Sequence, residues 1–141
     1  MEKWVAYALI SMVFAGFTSV IAKMGLVGIS GELGLTIRTL FVSLFVLGFA
    51  AIFVPTADYS LLNRSNILWL GLSGVTTTLS WIFYYKALKL GDVATVALID
   101  KGSVVVAILL AWLLLKEVIT LRIIIGGALI VGGLLVMVKR P

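Results

Sequence analysis

The sequence predicts an all-α integral membrane protein with five transmembrane helices. Of its 141 residues, 62% are hydrophobic and only 12% are charged, whereas soluble domains carry roughly 25% charged residues. The chain also contains five long apolar stretches. Each approaches the ~20 residues that a helix needs to cross a hydrocarbon core of roughly 30 Å. The composition therefore favours lipid as the solvent.

The five predicted helices cover residues 4–22, 34–54, 67–85, 93–115 and 121–138. Backbone polar groups in lipid must be satisfied internally, which leaves helices or a closed barrel. Strands of a barrel alternate apolar and polar side chains, but residues 104–110 are apolar throughout. The short connections make consecutive helices antiparallel neighbours, and no domain boundary divides residues 1–141.

Polar residues and proline mark the ends of these helices. Pro55 ends the second helix, and Gly91 precedes Asp92 in the short turn before the fourth. Asp92 and Thr120 stand where side-chain oxygens can accept hydrogen bonds from the first turns of the fourth and fifth helices. We therefore expect both residues to cap these helices.

The composition excludes several classes of function. The chain has no cysteine and no histidine, which removes disulfides, thiol nucleophiles and the commonest metal ligand. It also lacks a Gly-x-Ser-x-Gly motif and paired carboxylates, so neither an enzyme nor a cofactor is expected. The net charge of +5 comes from basic residues spaced singly between apolar runs. This spacing is typical of membrane proteins and argues against nucleic-acid binding.

The distribution of basic residues gives a weak orientation signal. The side bearing the N-terminus holds four of them and the opposite side holds seven, namely Lys23, Arg38, Lys86, Lys89, Lys101, Lys139 and Arg140. Lys23, Arg38, Lys86 and Lys101 lie inside or beside apolar segments. Without these four residues, the side with the C-terminus holds three basic residues and the side with the N-terminus holds four. The positive-inside rule therefore selects neither orientation. Insertion both ways round is the resulting hypothesis.

Several charged residues fall within the predicted membrane segments. Ionisable groups there are costly and tend to face a cavity or a partner. Asp100 and Lys101 lie about two turns into the fourth helix, and Ser103 shares a helical face with Asp100. Arg38 and Lys23 are candidate partners for Asp100. We expect Asp100, Lys101, Ser103 and Arg38 to line a pathway.

Two explanations compete for the basic and aromatic residues. Long side chains can snorkel to the membrane interface, which we favour for Lys23 and Lys86, and for Arg38 both explanations stay open. Trp81 and Tyr85 lie four residues apart on one face. They belong either to an interfacial aromatic belt or to an aromatic wall that faces an organic solute.

Small residues form stripes on several helices, as at close helix contacts in membranes. The fifth helix carries Gly126, Ala128, Gly132 and Gly133, and on the first helix Thr18 lies on a face of small residues. Simple helix packing within the chain is the favoured explanation. The alternative makes the fifth-helix glycines a subunit contact and the Thr18 face a cavity wall.

Taken together, these features resemble the EamA-like family of the drug/metabolite transporter superfamily along essentially the whole chain. The resemblance rests on the order and spacing of Lys23, Arg38-Thr39, Tyr84-Tyr85-Lys86-Ala87-Leu88, Gly91-Asp92, Glu117 and the glycine-rich fifth helix. The segment Ile99-Asp100-Lys101-x-Ser103 looks like the version found in short, single-repeat members.

The resemblance implies a fold and a function. The family implies a ten-helix transporter built from two inverted five-helix repeats, with alternating access to a central cavity, a plan that other transporters share. This chain supplies one such repeat, so the resemblance implies a dimer, expected to be an antiparallel homodimer of dual topology in the inner membrane. Many members carry a proline in the fourth helix, and its absence leaves Gly102 as the hinge candidate.

Two functional hypotheses follow. The first is a transporter of a small metabolite or drug-like solute, in which Asp100 is a candidate to carry a coupling proton or the basic residues hold a carboxylate substrate. The second is a non-transporting membrane subunit of a heteromeric transporter or of a flippase for a lipid-linked solute. Inactivity of the chain alone, or co-purification of an unrelated chain, would favour the second.

Overall fold

The computed structural model describes residues 2–138, and their regular structure consists of helices. The described part forms α1 (Lys3–Gly25), α2 (Gly31–Phe53), a 3-10 helix (Thr56–Leu61), α3 (Arg64–Leu90), α4 (Val93–Asp100), α5 (Ser103–Leu114) and α6 (Leu121–Val138). Lys139 and Arg140, which enter the charge count above, lie outside the described residues. The all-α prediction is confirmed for residues 2–138.

Local capping explains where these helices begin. The Ser30 side chain accepts a hydrogen bond from the Leu33 amide at 3.2 Å, so α2 starts at Gly31 and not at the predicted residue 34. Asp92 accepts from the Thr95 amide at 2.9 Å, and the Thr120 hydroxyl accepts from the Ile123 amide at 3.4 Å. Both predicted caps are confirmed, because each satisfies a first-turn N–H that lacks an intrahelical partner.

Helix length supports at least four membrane spans among the described residues. Lys3–Gly25, Gly31–Phe53, Arg64–Leu90 and the combined segment Val93–Leu114 are long and apolar enough to cross a bilayer. The apolar part of α6, Leu121–Met137, is shorter, and at 1.5 Å per residue it extends for only about 26 Å. The fifth span therefore stays a prediction.

The predicted fourth helix, residues 93–115, is interrupted in its middle. The Gly102 amide donates to the Ile99 carbonyl at 2.9 Å, and Val104 and Val105 donate to carbonyls three residues earlier at 3.1 and 3.0 Å. This tighter 3-10 pattern separates α4 from α5. Glycine stabilises a helix poorly, so the interruption falls at the residue that the sequence marks as the hinge candidate.

Residues 21–90 form one compact unit, in which α2 and α3 pack against each other. Glu32 at the start of α2 contacts Lys86 near the end of α3, so the two helices run antiparallel, as predicted. The large apolar side chains that are buried in the described structure all belong to this unit: Leu26, Leu35, Tyr85 and Leu88. Its best-packed part is thus the end where α2 begins and α3 finishes.

The other unit comprises residues 1–20 and 91–141, of which 2–20 and 91–138 are described. Here α4 and α5 both pack against α6. A Cβ atom built on Gly127 would lie 3.4 Å from Ile108 Cδ1, and one on Gly102 would lie 3.0 Å from Leu134 Cδ1. These glycines allow α6 to approach α4 and α5 closely.

Most large apolar side chains of the described helices are exposed. Phe14 of α1, Phe45 of α2 and Leu129 of α6 are each about 70% exposed, at 68%, 70% and 72%. A soluble monomer does not expose apolar surface on this scale. These surfaces therefore face lipid or another protein chain.

Candidate functional site

Arg38, Trp81 and Tyr85 come together between α2 and α3. The guanidinium carbon of Arg38 lies 4.4 Å from the ring centroid of Trp81 and 5.9 Å from that of Tyr85. Both distances are within the range of a cation–π interaction. Trp81 is partly buried and Tyr85 is only 4% exposed. The structure thus brings Arg38, which the sequence placed along a pathway, together with the two aromatic residues that it assigned either to an interfacial belt or to a solute-facing wall.

Two contacts position this cluster by fixing α2 against α3. A Cβ atom on Gly31 would lie 2.9 Å from the Tyr85 carbonyl oxygen, so only glycine permits this approach of the two backbones. One residue later, Glu32 forms an ion pair with Lys86 at 3.4 Å. These contacts set the register of the two helices. In this register Arg38, seven residues after Gly31 on α2, lies over Trp81 of α3.

The Arg38 guanidinium is held between the helices instead of extending freely toward an interface. Its Nη1 atom is buried and, among residues 2–138, has no hydrogen-bond partner. The aromatic rings attract the cation electrostatically, but they do not replace oxygen acceptors. The pathway role of Arg38 stays a prediction.

Two lysines connect the C-terminal ends of α1 and α3. Lys23 Nζ donates to the Leu88 carbonyl at 2.5 Å and also contacts the Lys89 carbonyl at 3.4 Å. In return, Lys89 Nζ donates to the Leu26 carbonyl, just beyond α1, at 2.9 Å. Cations stabilise helix C-termini, where carbonyl groups lack intrahelical partners. Lys23 thus has a specific structural contact beyond the snorkelling that its sequence position suggested.

Asp100, Lys101 and Ser103 lie at the interruption between α4 and α5. Asp100 is the last residue of α4 and is half-buried, whereas Lys101 and Ser103 are exposed. An interrupted membrane helix brings backbone polar groups and side chains to one level of the bilayer. The sequence singled out these residues by their charge and polarity. The structure adds that they lie at a break in an apolar helix.

Threonine hydroxyl groups of α1 and α3 bond within their own helices. The Thr18 hydroxyl donates to the Phe14 carbonyl at 2.9 Å. Likewise, Thr77 and Thr78 of α3 donate to carbonyls four residues earlier at 2.8 and 2.9 Å. Such bonds satisfy the hydroxyl in an apolar environment. Thr18 is exposed, and its place in a cavity wall stays a prediction.

The small residues of α6 divide into two groups. Gly127 packs on Ile108, whereas a Cβ atom on Gly126, Gly132 or Gly133 would meet no atom of residues 2–138 within 4 Å. Ala128 lines an apolar groove of about 350 Å³ together with side chains of α5 and α6 such as Trp112 and Ile124. Within the described part of this unit, packing therefore accounts for Gly127 but not for Gly126, Gly132 and Gly133.

Sequence reasoning singled out Arg38, Trp81 and Tyr85 but did not predict that they meet, and it missed the contacts that position them. The partners of Lys86, Lys23 and Gly31 depend on which residues of antiparallel helices stand opposite each other. The sequence contained one signal that could have predicted a contact between α2 and α3: Glu32 in the first turn of α2 and Lys86 near the end of α3 have opposite charges. The pairing of Asp100 with Arg38 or Lys23 stays a prediction.

Comparison with known proteins gives a consistent result. The sequence model of the EamA-like transporter family matches residues 2–139. A protein from Sinorhizobium sp. with the name "Uncharacterized transporter in cobO 3'region" is 37% identical over 139 residues, which is 96% of each chain. No solved structure gives a significant match.

Proposed function

Because the chain belongs to the EamA-like transporter family, we propose that it carries a small solute across the membrane as an antiparallel homodimer working by alternating access. The chain is a multi-pass membrane protein, and in a bacterium such a protein lies in the inner membrane. In the proposed dimer, each copy supplies one five-helix repeat. The pathway lies between the two copies, as it does between the repeats of other transporters.

One observation carries the proposal. The relative named as a transporter matches this chain over 96% of both lengths. This similarity in length supports the proposal that the transporting unit is assembled from two chains, each supplying one repeat. The weak charge bias of the sequence supports two copies of opposite orientation, because neither orientation is favoured strongly.

Several residues are proposed to line the pathway. Arg38, Trp81 and Tyr85 form the cluster between α2 and α3, and Asp100, Lys101 and Ser103 occupy the interruption after α4. We assign Asp100 as the carrier of a coupling proton, since a carboxyl group can gain and lose a proton during each transport cycle. Thr18 is assigned to the wall of the same pathway.

Topology is the first test of this proposal. Single cysteines at residue 2 and residue 140 of the otherwise cysteine-free chain are labelled with a membrane-impermeant maleimide in oriented vesicles. The proposal predicts that each site is labelled from both sides. Labelling of each site from one side only contradicts the antiparallel homodimer and requires a parallel dimer or a partner chain of opposite topology.

Transport by the purified chain is the second test. Proteoliposomes that contain only this protein are exposed to labelled amines, amino acids, carboxylates and nucleosides under an imposed proton gradient. Uptake of at least one class above that of protein-free liposomes is expected. Inactivity of the chain alone, together with co-purification of an unrelated membrane protein from cells, would instead support the role of a non-transporting subunit.

A further inference from the structure

We propose that Arg38, held by Trp81 and Tyr85 between α2 and α3, is the binding site for the carboxylate of a small organic anion. The inference rests on the proposed function, because the anion is the solute that the protein would carry. It adds the substrate class, which neither the family match nor the name of the relative contains.

The first step concerns the charge of Arg38. A guanidinium stays protonated in proteins, and this one lies within α2, a helix long and apolar enough to span the membrane. Its Nη1 atom is buried without a hydrogen-bond partner among residues 2–138. A cation in this position is costly unless an anion compensates it. The arrangement therefore calls for a negatively charged group.

The second step concerns the acidic residue closest to Arg38 along α2. Glu32 lies six residues earlier, and its carboxylate pairs with Lys86 at 3.4 Å. The same register places the rings of Trp81 and Tyr85 beside the guanidinium. Within this unit, Glu32 is thus paired with another cation, and the contacts observed for Arg38 are aromatic.

The third step identifies the ligand chemistry. The planar guanidinium presents paired N–H donors that match the two oxygens of a carboxylate. One guanidinium balances one carboxylate charge, whereas a phosphate dianion needs a second cation. The neighbouring Trp81 and Tyr85 provide apolar and aromatic surface for the body of an organic molecule. A small monocarboxylate with an apolar or aromatic body fits all three properties.

A tryptophan reporter tests the binding site directly. Substitution of Trp4, Trp69 and Trp112 by phenylalanine leaves Trp81 as the sole tryptophan of the full chain, which is reconstituted in lipid nanodiscs. Sodium acetate, benzoate and succinate are titrated at constant ionic strength, with benzamide and benzylammonium chloride as neutral and cationic analogues of benzoate. A saturable change in Trp81 emission is expected for benzoate, and none for benzamide or benzylammonium.

Substitution of Arg38 tests the assignment. The apparent affinity for benzoate is expected to fall at least about tenfold in Arg38→Gln, since charge-assisted hydrogen bonds are lost. Arg38→Lys keeps the charge but not the paired donors, so an intermediate affinity is expected. Arg64→Gln is the matched control, because Arg64 is exposed at the start of α3, and it should bind benzoate as the unsubstituted reporter does.

Several outcomes would overturn the inference. It fails if none of the three carboxylates changes Trp81 emission, if benzamide or benzylammonium saturates equally well, or if Arg38→Gln leaves the affinity unchanged. It also fails if benzoate binds only after Asp100→Asn, because Arg38 would then be occupied by Asp100. If Arg38→Gln does not insert, Arg38→Lys decides the question through its weakened binding.

Uptake separates this inference from the proposed function. Labelled benzoate is offered to proteoliposomes that contain the unsubstituted chain. Arg38-dependent binding without uptake of any solute supports the site and contradicts transport. Uptake of other solutes without carboxylate binding supports transport and overturns the anion site.

Discussion

At the residue scale, Lys116 shows how a local conformation can cost stability. It is the one non-glycine residue with positive φ among residues 2–138, at 55°. The Glu117 amide donates to the Ala111 carbonyl at 3.2 Å and closes the end of α5. A left-handed residue just after a helix end is a position that glycine usually occupies.

Replacing Lys116 with glycine is expected to stabilise the protein. The left-handed conformation costs a residue with Cβ roughly 1–2 kcal/mol, and glycine recovers part of that cost while losing more freedom on folding. An increase of about 1 kcal/mol in the free energy of unfolding is therefore expected, measured by SDS titration in mixed micelles. Lys116→Ala removes the same ammonium but keeps Cβ, so an equal gain in that variant contradicts the explanation.

Asp100 is the residue whose chemistry the proposed transport cycle requires. Asn has nearly the same shape but cannot bind and release a proton, so Asp100→Asn should abolish proton-coupled uptake in proteoliposomes while leaving membrane insertion intact. Asp58→Asn provides the matched control, since Asp58 is exposed in the 3-10 helix between α2 and α3. Unchanged uptake by Asp100→Asn would remove this carboxyl group from the mechanism.

At the scale of elements, the pairing of α2 with α3 depends on one glycine. An added Cβ at Gly31 would meet the backbone of Tyr85 at 2.9 Å, and backbone atoms cannot move aside as a flexible side chain can. The helices would have to separate at the end where Leu35 and Tyr85 are buried. Such a separation would also shift Arg38 relative to Trp81.

Gly31→Ala is accordingly expected to lower the free energy of unfolding by roughly 1–3 kcal/mol, the usual cost of overpacking. It should also change the emission of Trp81 in the single-tryptophan chain. Gly48→Ala is the control on the same helix, because a Cβ there meets no atom of the described residues within 4 Å and alanine favours a helix by about 1 kcal/mol over glycine. Equal effects of the two substitutions would contradict a close contact at Gly31.

The interruption between α4 and α5 is the second element-scale feature. It divides an apolar segment that is long enough to span the membrane and places Asp100 at the end of α4. Hydrogen bonds to carbonyls three residues back replace the regular pattern here. Hydrophobicity alone did not indicate this change, because apolar residues continue on both sides of it.

At the scale of the whole molecule, the open glycines of α6 bear on the proposed dimer. Small residues let membrane helices approach each other closely, yet a Cβ atom on Gly126, Gly132 or Gly133 would meet no atom of residues 2–138 within 4 Å. The dimer proposal assigns these glycines to the contact between copies.

Gly133→Leu is therefore expected to shift the purified protein from dimer to monomer, because a large side chain prevents close approach of two α6 helices. Single-molecule photobleaching in nanodiscs measures the number of copies. Gly48→Leu, on an equally open position of α2, should leave the dimer unchanged. A dimer that persists in Gly133→Leu would place the subunit contact on another face.

The sequence by itself determined that the protein is helical and membrane-embedded, because these properties depend on composition and on the length of apolar runs. It also determined the caps at Asp92 and Thr120, which involve residues only three apart. The family resemblance came from the order of short motifs along the chain. All of these are local or additive properties, so no knowledge of helix packing was needed.

Only the tertiary structure decided which distant residues meet. The pairing of Glu32 with Lys86, the bonds of Lys23 and Lys89 to helix ends, and the unpaired Nη1 of Arg38 follow from the rotation and register of packed helices. Apolar surfaces all resemble one another in lipid, so the amino-acid pattern specifies that register weakly. The close approach at Gly31, a contact between two backbones, selects the register that brings Arg38 to Trp81.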